Sequence, residues 1–364
     1  EIVNDRGGFD VIIGNPPYVV YSKKVVPYST SSYYTSSCKD LYAFVIERAV
    51  SIIRSNGSIG MIVPISIVST DGFSILRDLI ENKMAWTWYS SYAMRPGKLF
   101  DGVEKHLSIF VSNNSRREPR ATISSKYYRW YTEERDFLFD NLSYVRVEKR
   151  LYHNNSIPKV GSTIEKKILY KLLANKSISA FIVNKSRFEV LHTRKLRYFL
   201  QFLDTPPKIY EKNGKLRVTS ELKRLSFSDK NKAMLALPTY LSSLFFWYYI
   251  SYSDCRNLNK REVVSFPISL DTMNSHIIKE LKQLNNKILD NLQSNSYFQE
   301  AYYKAYGNLK MQVFQPRLSK PIIDEIDNIL AQHYGFTPEE LDFIINYDIK
   351  YRMGKELEGD EGES

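Results

Sequence analysis

The residues best suited to chemistry in this chain are Asn15, Pro16, Pro17 and Tyr18. They follow the apolar run FDVIIG at 9–14, whose β-branched residues predict a strand buried on both faces of a parallel α/β sheet. The prolines fix the backbone and restrict the residue before them, so the Asn15 amide and the Tyr18 ring have little freedom. Open α/β sheets carry their functional groups at the carboxyl ends of strands. The segment therefore predicts a rigid, polar loop at a functional sheet edge.

Two consecutive blocks of the sequence resemble one protein family. Asn-Pro-Pro-Tyr in the context GFDVIIGNPPYV resembles the S-adenosylmethionine-dependent amino-methyltransferases, whose N6-adenine DNA members carry this tetrapeptide. The next block of that family is an Asp-Leu-Tyr-x-x-Phe helix followed by a strand. Here Asp40 precedes a predicted helix over 41–57, and a predicted strand over 59–63 ends at Pro64. The order and spacing of both blocks agree with the family.

The resemblance implies a mechanism for the loop. An exocyclic adenine amine is a poor nucleophile because its lone pair is delocalised into the ring. In the family's pattern, the Asn15 side-chain oxygen and the Pro16 carbonyl accept both amine hydrogens and direct the lone pair at the methyl donor. No strong base is needed, so catalysis is positioning and electrostatics. Tyr18 supplies a flat face for an extruded base, and Asn15 and Pro17 lie at the methyl end of the cofactor site.

A second aromatic face is expected at Phe100. The segment RPGKLFDGVEKHLSIFV resembles a later block of the family, in which an aromatic residue closes the other side of the base. A core residue that packs against the sheet edge is an equally good interpretation of Phe100.

The elements that must position these residues alternate along the chain. A helix is predicted over 73–83, with strands over 85–92 and 106–112. Together with the first strands, they predict the second half of a doubly wound methyltransferase sheet, ending in an antiparallel hairpin. The polar, basic segment NNSRREPR then predicts a domain boundary near residue 115.

Charge divides the chain into three regions. Residues 1–115 hold 11 Lys and Arg against 10 Asp and Glu, residues 116–268 hold 30 against 14, and residues 269–364 hold 10 against 16. A charge run alone is more often a solvated face, but the methyltransferase blocks favour a surface for a polyanion. In the family this region is a target-recognition domain, here of mixed α+β structure, and duplex DNA is the partner.

Basic residues interleaved with aromatics are the expected DNA contacts of this region. Lys-Asn-Gly-Lys at 212–215 also predicts a hairpin turn. The segment 255–268 (CRNLNKREVVSFPI) resembles the motif that closes the recognition domain, although capping and turn roles fit it equally well. The candidates are Arg116, Arg117, Lys126, Arg129, Arg194, Lys195, Arg197, Lys212, Lys215, Lys260 and Arg261.

The remaining region, 269–364, is predicted to be helical. Apolar residues at helical spacing follow Asn274, and Thr337, Pro338 and Glu340 predict the start of another helix. The acidic end GKELEGDEGES is predicted to be disordered. The region resembles the C-terminal end of fused type II (type IIG-like) restriction-modification enzymes.

The amino-acid composition limits which classes of protein this chain can belong to. Only Cys38 and Cys255 are present, which favours a reducing, cytoplasmic location. The run 241–252 is too short to span a bilayer and predicts a buried helix, so no membrane partner is expected. The five histidines show no metal-ligand spacing, so no metal is predicted. Neither a phosphate-binding loop nor a nuclease cluster of carboxylates is evident.

The glycine-rich cofactor loop of the family is not found in this sequence. In relatives with a C-terminal recognition domain, that loop lies on strands before Asn-Pro-Pro-Tyr. We therefore expect a missing N-terminal methyltransferase half, in the same polypeptide or a partner subunit, and weak S-adenosylmethionine binding by this chain alone. Two other functions stay open: a DNA-recognition fragment without activity, and an amino-methyltransferase acting on RNA or protein.

Overall fold

The computed structural model describes residue 3 and residues 7–22, 29–115, 120–195, 198–219 and 221–354. The chain divides into two compact units. The first comprises Glu1–Leu169 with Ile250–Cys255, and the second comprises Tyr170–Tyr249 with Arg256–Ser364. The structure is mixed α/β, as predicted, and each unit builds its own sheets.

Six strands form the sheet of the first unit. They are β1 (Phe9–Gly14), β2 (Ile53–Pro64), β3 (Trp86–Tyr92), β4 (Leu107–Asn113), β5 (Ala121–Tyr128) and β6 (Tyr144–Val147). Their order is β1-β2-β4-β3-β5-β6. β1 is parallel to β2 and β3 to β5, whereas β4 is antiparallel to both of its neighbours. The antiparallel pairing predicted for the strands near 85–92 and 106–112 is confirmed.

The sheet continues past the boundary predicted at residue 115. β5 pairs with β3 and β6 pairs with β5, so residues 121–147 belong to the same sheet as β1. A polar, basic segment marks a surface connection, and such a connection can join two strands as well as two domains. The predicted division into 1–115, 116–268 and 269–364 thus differs from the compact units, and the functions assigned to those three regions stay predictions.

The α-helices of the first unit in the described part of the chain are α1 (Leu41–Ile52), α2 (Ser66–Ser69) and α3 (Ser74–Lys83). The helix α4 (Thr163–Leu173) begins in the first unit and ends in the second. α3 lies where the sequence predicts it. α1 is shorter than the helix predicted over 41–57, because Ile53 pairs with Phe9 and begins β2. Gly57 suits this close approach, since a Cβ atom there would lie 2.9 Å from the Phe9 carbonyl oxygen.

The strand β1 is at the edge of the sheet, and the prediction that it is buried on both faces is wrong. Val11 is 58% exposed and Ile13 is 82% exposed. Both project from the same face, because side chains alternate along a strand. Among the described residues, β1 pairs with β2 only, so its outer edge is open, and the exposure of Val11 and Ile13 shows that their face is largely uncovered.

Two sheets belong to the second unit. One has the order β7-β11-β8-β9 and the other the order β10-β13-β12. The strands are β7 (Ile182–Val183), β8 (Glu189–His192), β9 (Phe202–Leu203), β10 (Ile209–Glu211), β11 (Lys223–Phe227), β12 (Tyr297–Tyr303) and β13 (Gly307–Val313).

Helices form the core of the second unit. They are α5 (Lys230–Leu241), α6 (Ser243–Tyr252, which continues into the first unit), α7 (Lys260–Ser265), α8 (Ser275–Ser294), α9 (Lys320–Tyr334), α10 (Pro338–Ile345) and α11 (Ile349–Arg352). The long helix predicted after Asn274 is α8, and Asn274 caps it by accepting a hydrogen bond from the Ile277 N–H at 2.9 Å. Among the described residues, no single helix has the length and apolarity to cross a membrane; α5 and α6 meet those criteria only together, with a 70° bend between them.

The region 269–364 is not entirely helical, which corrects the sequence prediction. β12 and β13 form an antiparallel hairpin between α8 and α9. Its sequence, YFQEAYYKAYGNLKMQV, is rich in aromatic residues and turns at Gly307, whose φ is +73°. Aromatic residues favour strands, and Gly adopts positive φ at no steric cost.

Candidate active site

The loop Asn15–Tyr18 lies at the edge where β1 and β2 end. Gly14 pairs with Met61, three residues before the end of β2. Pro64 then pairs with Leu107 at the start of β4, and Leu107 pairs with Tyr92 at the end of β3. One sheet edge therefore gathers residues that are far apart in sequence.

The loop is attached directly to the start of α1. The Leu41 N–H donates to the Val19 carbonyl at 3.0 Å, and the Tyr21 N–H donates to the Lys39 carbonyl at 2.9 Å. These two bonds join the Asn-Pro-Pro-Tyr block to the Asp-Leu-Tyr block. The structure thus brings together the two segments on which the family resemblance rests.

Tyr18 orients the side chain of Asn15. The Tyr18 hydroxyl lies 2.5 Å from Asn15 Oδ1 and 3.0 Å from the Ile62 carbonyl oxygen, and it donates to these acceptors. Partial burial raises the pKa of Tyr18 to about 12, so the phenol stays a neutral donor at physiological pH. Within the loop, Asn15 is exposed to solvent and Pro16 is buried.

Tyr18 and Phe100 contact the same apolar cluster. The cluster consists of buried residues from the sheet edge and the segments after it: Tyr92, Leu99, Leu107, Tyr128, Trp130 and Leu138. Tyr18 and Phe100 are both partly buried against it. The structure therefore gathers the two aromatic residues that the sequence predicts on either side of a base, while their role as a pair stays a prediction.

Lys105 and Asp40 also flank the loop, and the sequence analysis did not single out either as a site residue. Lys105 Nζ donates to the Tyr18 carbonyl at 3.1 Å and lies 5.8 Å from the centre of the Tyr18 ring. Burial raises the pKa of the Asp40 carboxyl to about 6, opposed by the positive charge of Lys105. Lys105 is 87 residues from Tyr18 in sequence, so no local signal could have revealed it.

The predicted DNA contacts are distributed over both units. In the first, Lys126 is exposed on β5, and Arg129 lies just after it with its guanidinium 5.1 Å from the Tyr127 ring centre. β5 ends at the same sheet edge as β3, beside which it runs in parallel. These two residues are therefore on the side of the sheet that carries the Asn15 loop.

In the second unit, a bridge between Lys195 and Asn257 brings Arg194 and Lys195 close to the start of α7. Lys260 is exposed there, whereas Arg261 is engaged by the buried Glu262 carboxylate at 2.7 Å. This ion pair favours a structural role for Arg261.

A separate group of predicted DNA contacts lies at the turn after β10, where Lys212 and Lys215 are both exposed. The candidates Arg116, Arg117 and Arg197 lie outside the described residues.

Two residues of the loop are those predicted at the methyl end of a site for S-adenosylmethionine. Asn15 and Pro17 are exposed at the loop, but no glycine-rich loop joins a strand to a helix in the described part of the chain. Within the same residues, no group of three or more His, Cys, Asp or Glu side chains is arranged to hold a metal ion.

A cavity of about 350 Å³ opens at the opposite edge of the same sheet, near Thr87 and Ala121. Its lining includes Glu81, which accepts a hydrogen bond from the Tyr152 hydroxyl at 2.5 Å and pairs with Lys149 at 3.0 Å. Because it opens at the opposite edge of the sheet, the cavity is remote from the Asn15 loop.

Structure comparison shows a fold similar to that of a restriction-modification enzyme. One similar structure is that of MmeI, a type IIL restriction-modification enzyme in complex with DNA. The alignment covers 94% of this chain and 57% of the MmeI chain, with a TM-score of 0.50 and 12% sequence identity, which shows similarity of fold. The type IIG restriction endonuclease BpuSI matches with a TM-score of only 0.33 at 10% identity, covering 93% of this chain and 54% of its own.

Sequence comparison is more specific. RM.Eco57I, a type II restriction enzyme and methyltransferase of Escherichia coli, is 25% identical over 179 residues, or 46% of this chain. The matched part spans only 17% of that protein. Residues 1–91 match the family described as Eco57I restriction-modification methylase. The predicted resemblance to methyltransferases of restriction-modification enzymes is therefore confirmed, and the matched residues 1–91 include the Asn15–Tyr18 loop and the Asp-Leu-Tyr block.

Proposed function

We propose that this chain carries the catalytic edge and the target-recognition part of an enzyme that methylates the N6 amine of adenine in a specific duplex DNA sequence. S-adenosylmethionine is the proposed methyl donor, and a restriction-modification enzyme is the proposed context. The observation that carries the proposal is the exposed Asn15 amide, oriented by Tyr18 at a sheet edge that also gathers Phe100.

The proposed mechanism uses acceptors and aromatic faces. Asn15 Oδ1 and the Pro16 carbonyl accept the two hydrogens of an extruded adenine amine, which frees its lone pair for the methyl group. Tyr18 and Phe100 hold the base between them. Oδ1 has two lone pairs, so it can accept from the amine while the Tyr18 hydroxyl still fixes its direction. The pKa of Tyr18, about 12, keeps that hydroxyl protonated.

The cofactor supplies an activated methyl group when bound, and Asn15 and Pro17 are the residues here that would approach it. We propose that a cofactor-binding half adds its strands to the sheet beside β1. The open edge of β1 and the exposed Val11 and Ile13 support this, because exposed apolar strand edges are normally paired or covered. By itself the chain should bind S-adenosylmethionine weakly.

Recognition of DNA is proposed for the basic residues beyond β4. Lys and Arg neutralise phosphates and set the register of a protein on the duplex, while base edges specify the sequence. Lys126 and Arg129 are well placed for this because they lie on the side of the sheet that holds the Asn15 loop.

The test follows methyl transfer from labelled S-adenosylmethionine to duplex DNA. The chain is assayed alone and together with the proposed cofactor-binding half, supplied in trans. We expect transfer only with both parts, and a loss of at least about a hundredfold in Asn15→Ala, a size typical for removing one key hydrogen-bonding group. Asn82→Ala, at an exposed residue of α3, is the matched control and should keep full activity.

Two results would replace the proposal with an alternative. Duplex binding without methylation, even with the cofactor half present, would indicate a recognition module. Methylation of RNA or protein alone would indicate an amino-methyltransferase with a different substrate. Tight binding of S-adenosylmethionine by the chain alone would contradict the proposed need for a second half.

A further inference from the structure

The sheet β10-β13-β12 presents aromatic side chains to solvent. Paired residues of antiparallel strands project from the same face, so the pairs Tyr210–Lys310 and Lys310–Glu300 place these three side chains on one face. Phe298 and Tyr302 lie on that face too, two residues to either side of Glu300. Phe298 is 43% exposed and Tyr302 is 74% exposed. Such a concentration of exposed aromatics typically marks an interaction surface.

Two turns meet at one end of this sheet. The turn after β10, residues 212–215, and the turn between β12 and β13, residues 304–306, both extend from the end where Glu211 pairs with Leu309. The Arg217 guanidinium lies 3.7 Å from the Tyr306 ring centre and 3.4 Å from the Glu211 carboxylate. These contacts hold the two turns together as one unit, here named the hairpin tip (residues 212–217 and 302–308).

The opposite end of the sheet is anchored. The buried Gln312 side chain donates to Gln293 at 3.2 Å and to Ser296 at 2.9 Å, both at the end of α8. Its oxygen accepts from the Lys208 N–H at 3.1 Å. The sheet is thus fixed at its base, and the exposed hairpin tip lies at the other end.

Charge identifies the class of partner. Residues 208–217 and 297–313 contain six cations and two anions, and the cations Lys212, Lys215 and Lys304 are exposed at the hairpin tip. Exposed lysines beside aromatic rings suit a polyanion that also offers flat or apolar surfaces. A purely apolar protein partner would leave these charges buried without partners, which is costly.

We propose that the hairpin tip enters a groove of duplex DNA, with Lys212, Lys215 and Lys304 on phosphates and Tyr302 against the groove wall or base edges. The proposal rests on the proposed function, because it names the surface by which that enzyme holds its substrate. The major groove admits a two-stranded β-ribbon, and the β12–β13 hairpin has that form. Half of this surface lies in 269–364, which the sequence analysis did not assign to DNA.

The test measures binding of the full chain to 30-base-pair duplexes of mixed sequence, over a series of salt concentrations. The variant Lys212→Ala with Lys304→Ala should bind at least about tenfold more weakly, and its slope of log K against log salt should fall by about two. The control Lys279→Ala with Lys282→Ala, on α8 of the same unit, removes the same charge and should match the wild type. Tyr302→Ser should weaken binding while leaving the salt slope unchanged.

The outcomes separate this inference from the proposed function. If Asn15→Ala abolishes methylation but binds DNA normally, while the hairpin-tip variant loses binding, the inference is supported. If the hairpin-tip variant and its control bind equally while the wild type methylates DNA, this inference fails and the proposed function stands. A change in oligomeric state with unchanged DNA affinity would instead identify the tip as a contact between copies of the chain, and tighter binding to single strands would exclude groove insertion.

Discussion

Tyr18 contributes to the candidate site in two separate ways, through its hydroxyl and through its ring. The hydroxyl donates to Asn15 Oδ1 and to the Ile62 carbonyl, so it links the loop to β2. The ring packs against the apolar cluster at the sheet edge. The proposed function needs the ring as a stacking face, whereas the hydroxyl only refines the direction of the amide.

Substitutions at Tyr18 should therefore separate these contributions. Tyr18→Phe keeps the ring, so we expect methyl transfer within about tenfold of the wild type, in line with a modest net value for one hydrogen bond. Tyr18→Ala removes the stacking face, and transfer should fall by about tenfold to a hundredfold or more, since base stacking is worth about 1–3 kcal/mol. Steady-state methylation assays at saturating cofactor measure both. Equal losses in the two variants would show that stacking is not the role of this residue.

The buried carboxyl group of Asp327 should make the stability of the fold depend on pH. Its carboxylate accepts hydrogen bonds from the Ser243 and Leu244 N–H groups at the start of α6, both at 3.2 Å. Complete burial nevertheless raises its pKa from 3.8 to about 6. An acid whose folded-state pKa is raised binds its proton more tightly in the folded chain. Its favourable contribution is therefore complete below about pH 4 and is lost as the pH rises through about 6.

This raised pKa predicts a difference in pH dependence between two variants. Asp327→Asn cannot ionise, so its free energy of unfolding should lack the fall that Asp327 gives the wild type between about pH 4 and pH 6. That fall is on the order of 3 kcal/mol at most. Asp342→Asn, at an exposed position of α10, is the control. Urea unfolding at half-unit pH intervals measures the profiles, and a parallel profile for Asp327→Asn and the wild type would refute the assignment.

Among the elements of the first unit, β1 is an edge strand with exposed apolar side chains. It has one neighbouring strand among the described residues, and its outer apolar side chains are exposed. An exposed edge strand is a template for pairing with another chain segment. The proposed cofactor-binding half would use that edge and cover Val11 and Ile13.

The variant Ile13→Lys tests this role of β1. Ile13 is 82% exposed, so its replacement should change the stability of the chain alone by no more than about 0.5 kcal/mol. A lysine on the covered face of an extended sheet would be buried without a partner, so assembly with the cofactor-binding half should weaken by at least about tenfold. Titration of one part into the other, followed by methyl transfer, measures this. Undiminished assembly would place the partner elsewhere.

Local signals explain which elements the sequence could predict. The helix after Asn274 and the capping box of Thr337 and Glu340 depend on residues close in sequence, and both are present in the structure. The exposure of β1 could not be read from its apolar residues, because it depends on which strands lie beside it. The β12–β13 hairpin was missed because its aromatic residues were interpreted within a region of helical pattern.

At the scale of the whole molecule, the basic excess does not mark a separate domain. Residues 116–268 hold 30 Lys and Arg against 14 Asp and Glu, yet the compact units divide this stretch at residue 169. The sequence predicted the loop, the two family blocks and the basic residues. It could not predict how they group, because that depends on strand pairing such as β3 with β5. The contacts of Lys105 with Tyr18 and of Tyr306 with Arg217 could not be predicted for the same reason, because each joins residues far apart in sequence.

We propose that the Asn15 loop holds an adenine amine for methylation. The most direct measurement is the identity of the methylated nucleoside after duplex DNA has been treated with the chain, its cofactor-binding half and S-adenosylmethionine, then digested and analysed by mass spectrometry. We expect N6-methyldeoxyadenosine with the wild type and none with Asn15→Ala. Methylated cytosine, or N6-methyldeoxyadenosine formed equally by Asn15→Ala, would contradict it.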